Sequence, residues 1–279
     1  MFLNKDYPFL SRVLHHVVLG SNIVSDFLFD IEMAIFKKKI HKDDLRTHIF
    51  VSGLPRSGTT LLMNMLYETN QFASLTYRDM PFILSPNLWK KIIGHKLKST
   101  KSIERAHGDK MLINLDSSEA LDEIFWRVKL KSNYIHSDKL IFHDVNDEII
   151  EEFRSFVSLL LYKCQKRLYL SKNNNNILRL ESIIKSYPNC LFLIPFRDPI
   201  QQANSLLIQH QNFTQIQNKN KFAKSYMAYL AHYEFGINHI PYEFIKNTNP
   251  SSDKNSIEYW LAQWINVYGH LSQKKISDI

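Results

Sequence analysis

A chain of 279 residues with 44% apolar content can bury one sizeable α/β core, and 7 glycines and 9 prolines leave little room for linkers, so residues 1–279 read as a single domain. Its two cysteines, Cys164 and Cys190, exclude a disulfide framework and lack metal-ligand spacing, as expected of ordinary buried thiols in a reducing compartment. The formal charge of +8 suits a polyanionic ligand, but the basic residues lack the aromatic interleaving of a nucleic-acid surface, which argues against nucleic acid as partner.

Residues 1–45 read as an amphipathic helical lead-in. Arg12, His15, His16, Asn22 and Asp26 interrupt its apolar run before about 20 apolar residues accumulate, so neither a membrane span nor a secretion signal is predicted. His48 to Ser52 is a short apolar strand leading into GLPRSGTT at 53–60, after which Leu61, Leu62, Met65 and Leu66 fall at helical spacing. The following region is mostly helical, with Phe153, Phe156, Val157, Leu160, Leu161 and Cys164 on one core stripe. Arg167 to Ser171 predicts a second strand, the asparagines 173–176 its turn and cap, and Ile177 to Ser186 a helix. Cys190 to Phe196 predicts a third strand, with Asp198 as cap and Pro199 in the first turn of a helix reaching about His210. Ile257, Trp260, Leu261, Trp264, Ile265 and Tyr268 form a last core stripe.

Strands alternating with helices predict an α/β chain: a P-loop-like three-layer fold with a central parallel sheet flanked by helices. The continuous apolar runs predict strands buried on both sides. Ligands of such sheets gather at the carboxyl ends of the strands, which places Arg56, Lys172 and Arg197 on one rim.

The stretch 53–60 has the outline of a phosphate loop, but the position of the nucleotidase lysine holds Thr59. Backbone N–H groups and the helix dipole still offer an anion site. Without that lysine, and with no strand ending in an aspartate suited to magnesium, metal-dependent triphosphate hydrolysis is disfavoured. Arg56 carries a guanidinium into the loop instead.

This combination resembles the sulfotransferase family, whose phosphosulfate loops read PKSGTT or PRSGTT. Pro55 to Thr60 matches the arginine form, similar to tyrosylprotein and bacterial members. The resemblance covers roughly residues 48–210. It implies a donor, 3′-phosphoadenosine 5′-phosphosulfate (PAPS), held by Arg56, Ser57, Gly58, Thr59 and Thr60, with no metal. It also implies that Arg197 and, eight residues on, Ser205 hold the 3′-phosphate, and that Lys172 lies near the transferring sulfonate. Relatives continue past the last amphipathic helix into another strand, so a shortened carboxyl end at Ile279 is an expectation. A cytoplasmic location is another, since Golgi relatives are membrane-tethered.

A carboxylate about twenty residues beyond the loop serves as base in the arginine-loop relatives; Asp79 stands nearest that distance, with Glu119 and His136 as rivals. The catalytic set expected from the sequence is therefore Arg56, Lys172 and Asp79. Asn173 is read mainly as turn chemistry, with contact to substrate as its alternative. The activity implied is sulfuryl transfer to a hydroxyl, of a carbohydrate or another small or polymeric acceptor. The alternatives are a P-loop kinase or other nucleotide-dependent phosphotransferase, and a catalytically inert nucleotide-binding relative.

Overall fold

Two helices open the chain: α1 (Phe9–Leu19), which turns Val18 and Leu19 inward, and α2 (Asn22–Phe36), which buries Phe29 and Phe36. The computed structural model describes residues 9–41, 46–93, 102–105, 108, 111–244 and 253–273. Strand β1 (Ile49–Val51) feeds helix α3 (Thr59–Glu68), and β2 (Phe72–Ala73) and α4 (Pro86–Ile93) follow. The amino end of α4 is capped from α2: buried Glu32 accepts hydrogen bonds from the backbone N–H groups of Asn87 at 2.8 Å and Leu88 at 2.9 Å. A carboxylate suits that end of the helix dipole, and the cap fixes α4 against α2.

The middle of the chain is less uniformly helical than its sequence predicts. The short strands β3 (Ile103–Glu104) and β4 (Leu112–Ile113) pair antiparallel ahead of α5 (Glu123–Lys129). Strand β5 (Leu140–Ile141) precedes the long helix α6 (Asp147–Cys164), which Asn146 caps by accepting from Ile149 N–H at 3.0 Å. Each strand is two residues, too short to leave a period in the sequence.

The second predicted unit matches the structure closely, with β6 (Leu168–Lys172), a 3₁₀ turn over Asn174–Leu178, and α7 (Leu180–Ser186). In the third, β7 (Leu191–Leu193) covers only part of the apolar run, while α8 (Pro199–Lys219) extends well beyond His210. Asp198 caps α8, accepting from Gln201 N–H at 2.9 Å, with Pro199 in the first turn. Helix α9 (Lys221–Tyr229), β8 (Tyr242–Glu243), which pairs parallel with β5, and α10 (Ile257–Gln273) complete the order.

The main sheet is parallel, in the order β2-β6-β1-β7, with helices around it. Register aligns Phe50 with Ser171 on one side and Phe192 on the other. The central strand is buried as expected, but β7 is an edge strand and its Leu191 is 46% exposed, so double-sided burial fails there. Beside the sheet, Phe125, Trp126, Phe153 and Phe156 form one aromatic core, with the Phe125 and Phe156 rings stacked at 5.2 Å. The α6 stripe holds at its centre, with Leu161 and Cys164 half-buried at its margin, whereas in the last stripe only Trp260 is fully buried and Ile265 is exposed. Cys190 is half-buried too, so neither thiol is the fully buried residue expected.

Arg179 lies fully buried beneath the carboxyl ends of the strands, its guanidinium 5.1 Å from the Trp126 ring and 4.9 Å from the Tyr134 ring. It donates in a fork to Glu123 at 2.8 and 2.9 Å, and Asn173 donates to the same carboxylate at 2.7 Å. Burial pushes the Glu123 carboxyl up, but the Arg179 charge and these donors outweigh it and hold the group below the usual carboxylate range.

Candidate active site

The loop between β1 and α3 is built on left-handed backbone. Gly53 has φ 122°, and a side chain there would approach Ile194 at 3.3 Å; Gly58 has φ 102° and opens α3. Arg56, not glycine, has φ 68°, a conformation that costs about 1–2 kcal/mol and persists only when its surroundings enforce it. Those surroundings are visible. Arg56 Nε donates to Ser205 Oγ on α8 at 3.1 Å, and Ser57 Oγ donates to the Leu54 carbonyl at 2.8 Å.

Gln202, fully buried one turn before Ser205, donates to the Pro55 carbonyl at 3.0 Å and accepts from Trp264 Nε1 at 3.0 Å. Removing it leaves a buried carbonyl and an indole N–H unpaired. Gln202→Ala is expected to lower stability by about 1–3 kcal/mol in urea unfolding and to weaken anion binding at the loop together with it. Unchanged stability would show that this clasp does not hold the loop.

At the mouth of α3 lies a cavity of about 60 Å³, lined by Arg56, Thr59 and Thr60 from the loop and by Lys172 at the end of β6. This is room for a tetrahedral anion and not for a nucleoside. Glu119 and Tyr77 form another wall, with Tyr77 Oη donating to Glu119 Oε2 at 2.5 Å and Ala120 N–H donating to Glu119 Oε1 at 2.8 Å. Burial pushes Glu119 up, while the Lys172 charge and these two hydrogen bonds pull it down, towards the ionised form. Glu119 is thus an oriented carboxylate on the wall of a cavity also lined by three cations, Arg56, Arg105 and Lys172.

The site residues expected from the sequence are not all brought together. Arg56, Thr59, Thr60 and Lys172 meet at the cavity, and Ser205 joins them through Arg56. Arg197 is exposed, off the cavity, its guanidinium on Gln201 Oε1 at 3.0 Å. Asp79, the expected base, lies apart from the cavity. It is 1% exposed, outside the cavity, accepts from Thr76 N–H at 3.0 Å within a tight turn, and is ion-paired with Lys163. His136 is exposed and also outside the cavity. Asn173 is buried on Glu123, whereas its neighbour Asn174 reaches the cavity wall.

Sequence reasoning missed Tyr77, Arg105, His232 and Glu234, which also line the cavity. They come from loops and short turns that carry no period. Gln202 was open to detection, since it lies three residues before Ser205 on the same face of a helix.

A strand, a left-handed glycine loop and a helix amino end beside a small basic cavity are the layout of a P-loop-like α/β fold. Residues 48–243 match the model described as the sulfotransferase family. The chain belongs to the sulfotransferase family. Two solved structures resemble it. A sulfotransferase from Mycobacterium tuberculosis is 16% identical over 73% of this chain and 60% of that one, with a TM-score of 0.46. A sulfotransferase from Mycobacterium avium is 12% identical over 98% of this chain and 80% of that one, with a TM-score of 0.44. The chain therefore spans 60% of the length of the first. No curated protein matches it.

Proposed function

We propose that the protein transfers a sulfuryl group from PAPS to a hydroxyl acceptor, a carbohydrate or another small or polymeric alcohol. The observation that carries this reading is the convergence of Arg56, Lys172 and the start of α3 on an anion-sized cavity that also contains the carboxylate of Glu119. When bound, the donor supplies the activated sulfuryl group. Loop N–H groups and the positive end of α3 hold its charged oxygens, and Arg56 adds a guanidinium already posed by Ser205. The nucleoside, too large for the cavity, lies across its rim towards Arg197.

Glu119 is the base in this reading. Tyr77 aims its carboxylate, and the acceptor's hydroxyl proton passes to it as the oxygen attacks. Lys172 serves twice. Before the anion arrives its charge holds Glu119 ionised; with the anion in place that charge is shared, and the carboxylate becomes the stronger proton acceptor. A cytoplasmic setting accords with two unpaired cysteines, and no helix among the described residues is long and apolar enough to cross a membrane.

The exposed position of Arg197 sets a modest size for its role. A charged contact at a solvated rim is worth about 1.5 kcal/mol, so the protein should prefer PAPS to adenosine 5′-phosphosulfate by about tenfold. Arg197→Ala should erase that preference and leave affinity for the second nucleotide unchanged. Calorimetry with both nucleotides on both proteins measures it, and equal discrimination before and after the change would assign Arg197 to the surface alone.

Activity itself is tested by incubating the protein with labelled PAPS or ATP, with and without EDTA, over a panel of alcohols. Transfer from PAPS that EDTA does not affect supports the reading. Magnesium-dependent consumption of ATP would replace it with a kinase, and tight PAPS binding without transfer would replace it with an inert relative.

A further inference from the structure

At the opposite end of the main sheet, a groove of about 740 Å³ opens between α2, α4 and α6. Arg46 and Arg167, just before β1 and β6, put it at the amino ends of the strands, away from the loop. Lys39, Arg46, Lys90, Lys91, Lys166 and Arg167 line it, and no aspartate or glutamate does among the described residues. Lys163 lines it too but is paired with Asp79. The floor is apolar, with the Lys39 and Lys91 ammonium groups 5.6 and 4.7 Å from the Phe36 ring. Cations this crowded repel one another, and an anion seated among them relieves that repulsion.

An independent feature borders the groove. Ile35 on α2 is 45% exposed and Ile92 on α4 is 66% exposed, each one residue from a groove-lining side chain. Farther along α2, Ile23 and Phe27 are exposed as well, and at helical spacing these two and Ile35 share a sector of about 120°. Neighbouring α1 exposes Phe9, Leu10, Val13 and Val17 within a sector of about 100°. Glu32 ties α4 to α2, so Ile35 and Ile92 keep fixed places at the edge of the groove.

We propose that this end of the molecule docks on an anionic lipid bilayer, with headgroup phosphates in the groove and Ile35 and Ile92, at its edge, at the acyl boundary. Cations beside exposed aliphatic side chains are the signature of interfacial binding. A soluble anionic glycan would satisfy the lysines but offer nothing to the aliphatic side chains. A two-fold contact with a second copy would set the lysines against their own images. The inference is independent of the proposed sulfuryl transfer.

The test is sedimentation with phosphatidylcholine vesicles, alone or with about one-third phosphatidylglycerol, at low and high salt. The protein should bind only the anionic vesicles, and less in salt. Lys39→Gln with Lys91→Gln should weaken binding roughly 25-fold, about fivefold per lysine. Ile35→Ser with Ile92→Ser should weaken it while leaving the salt dependence as it was. Both variants should keep the melting temperature of the parent. No binding to anionic vesicles, or undiminished binding by both variants, overturns the proposal. So does capture of a soluble sulfated glycan in place of vesicles, or an apolar variant that alters only self-association in light scattering.

Discussion

Glu119→Gln should lower sulfuryl transfer by about 10²–10⁴-fold, the range for loss of a general base, with donor affinity nearly unchanged. The amide keeps the size of the side chain, its single oxygen can still accept from Ala120 N–H and its NH2 can donate to the Tyr77 hydroxyl, so the cavity wall should survive while its proton acceptor is lost. Asp79→Asn should behave differently. Asp79 is sealed between the Thr76 turn and Lys163, so its substitution should show first in stability and only weakly in the rate at saturating donor. Steady-state rates and unfolding curves of the two variants separate these roles. A dead Asp79→Asn with a native unfolding curve, beside an active Glu119→Gln, would return the base to Asp79.

Arg179→Met should cost about 3–5 kcal/mol in urea unfolding, the penalty for leaving one member of a buried ion pair alone. Glu123 would then be a buried carboxylate with the fork of Arg179 gone and only the Tyr134 hydroxyl and Asn173 still donating to it. Glu123→Leu combined with Arg179→Met should recover part of the loss, because the unpaired charge is removed together with its partner. The sign with pH follows from the depressed Glu123 pKa. Its stabilisation is complete above the unfolded glutamate value of about 4.3 and is lost as pH falls through the folded value. Wild type should therefore lose this contribution in acid while the double variant does not. A single variant as stable as wild type would remove the pair from the account. Asn173 connects it to the site, since the same asparagine starts the turn that follows Lys172.

The sequence revealed the parts of the fold that repeat or demand special backbone. Glycines 53 and 58 announced a phosphate-loop-like turn opening a helix, the apolar runs announced β1 and β6, and Pro199 after Asp198 announced the start of α8. Strand β2, at two residues, has no period to read, and exposure at the sheet edge is a tertiary fact that β7 could not declare. In the site, Arg56 and Lys172 were legible because strand ends and loops in such sheets face the ligand. Glu119 and Tyr77 reach the cavity from different loops, and only the fold shows that one aims the other. Spacing pointed to Asp79, which holds a turn outside the cavity, and could not tell it from Glu119, which lines the cavity. The eight residues between Arg197 and Ser205 span about 12 Å along a helix, so without ligand the two have no reason to meet. Ser205 binds Arg56 instead, and Arg197 binds Gln201.

The central claim is that the arginine-bearing loop, with no bound metal, holds the sulfonate end of the donor. Calorimetric titration of PAPS into the protein and into Arg56→Ala, in buffer stripped of divalent cations, tests it most directly. The account predicts saturable binding to the parent, weakened about tenfold or more by the substitution, with the melting temperature held. Absence of PAPS binding, or equal affinity in both proteins beside ATP binding that requires magnesium, would contradict it.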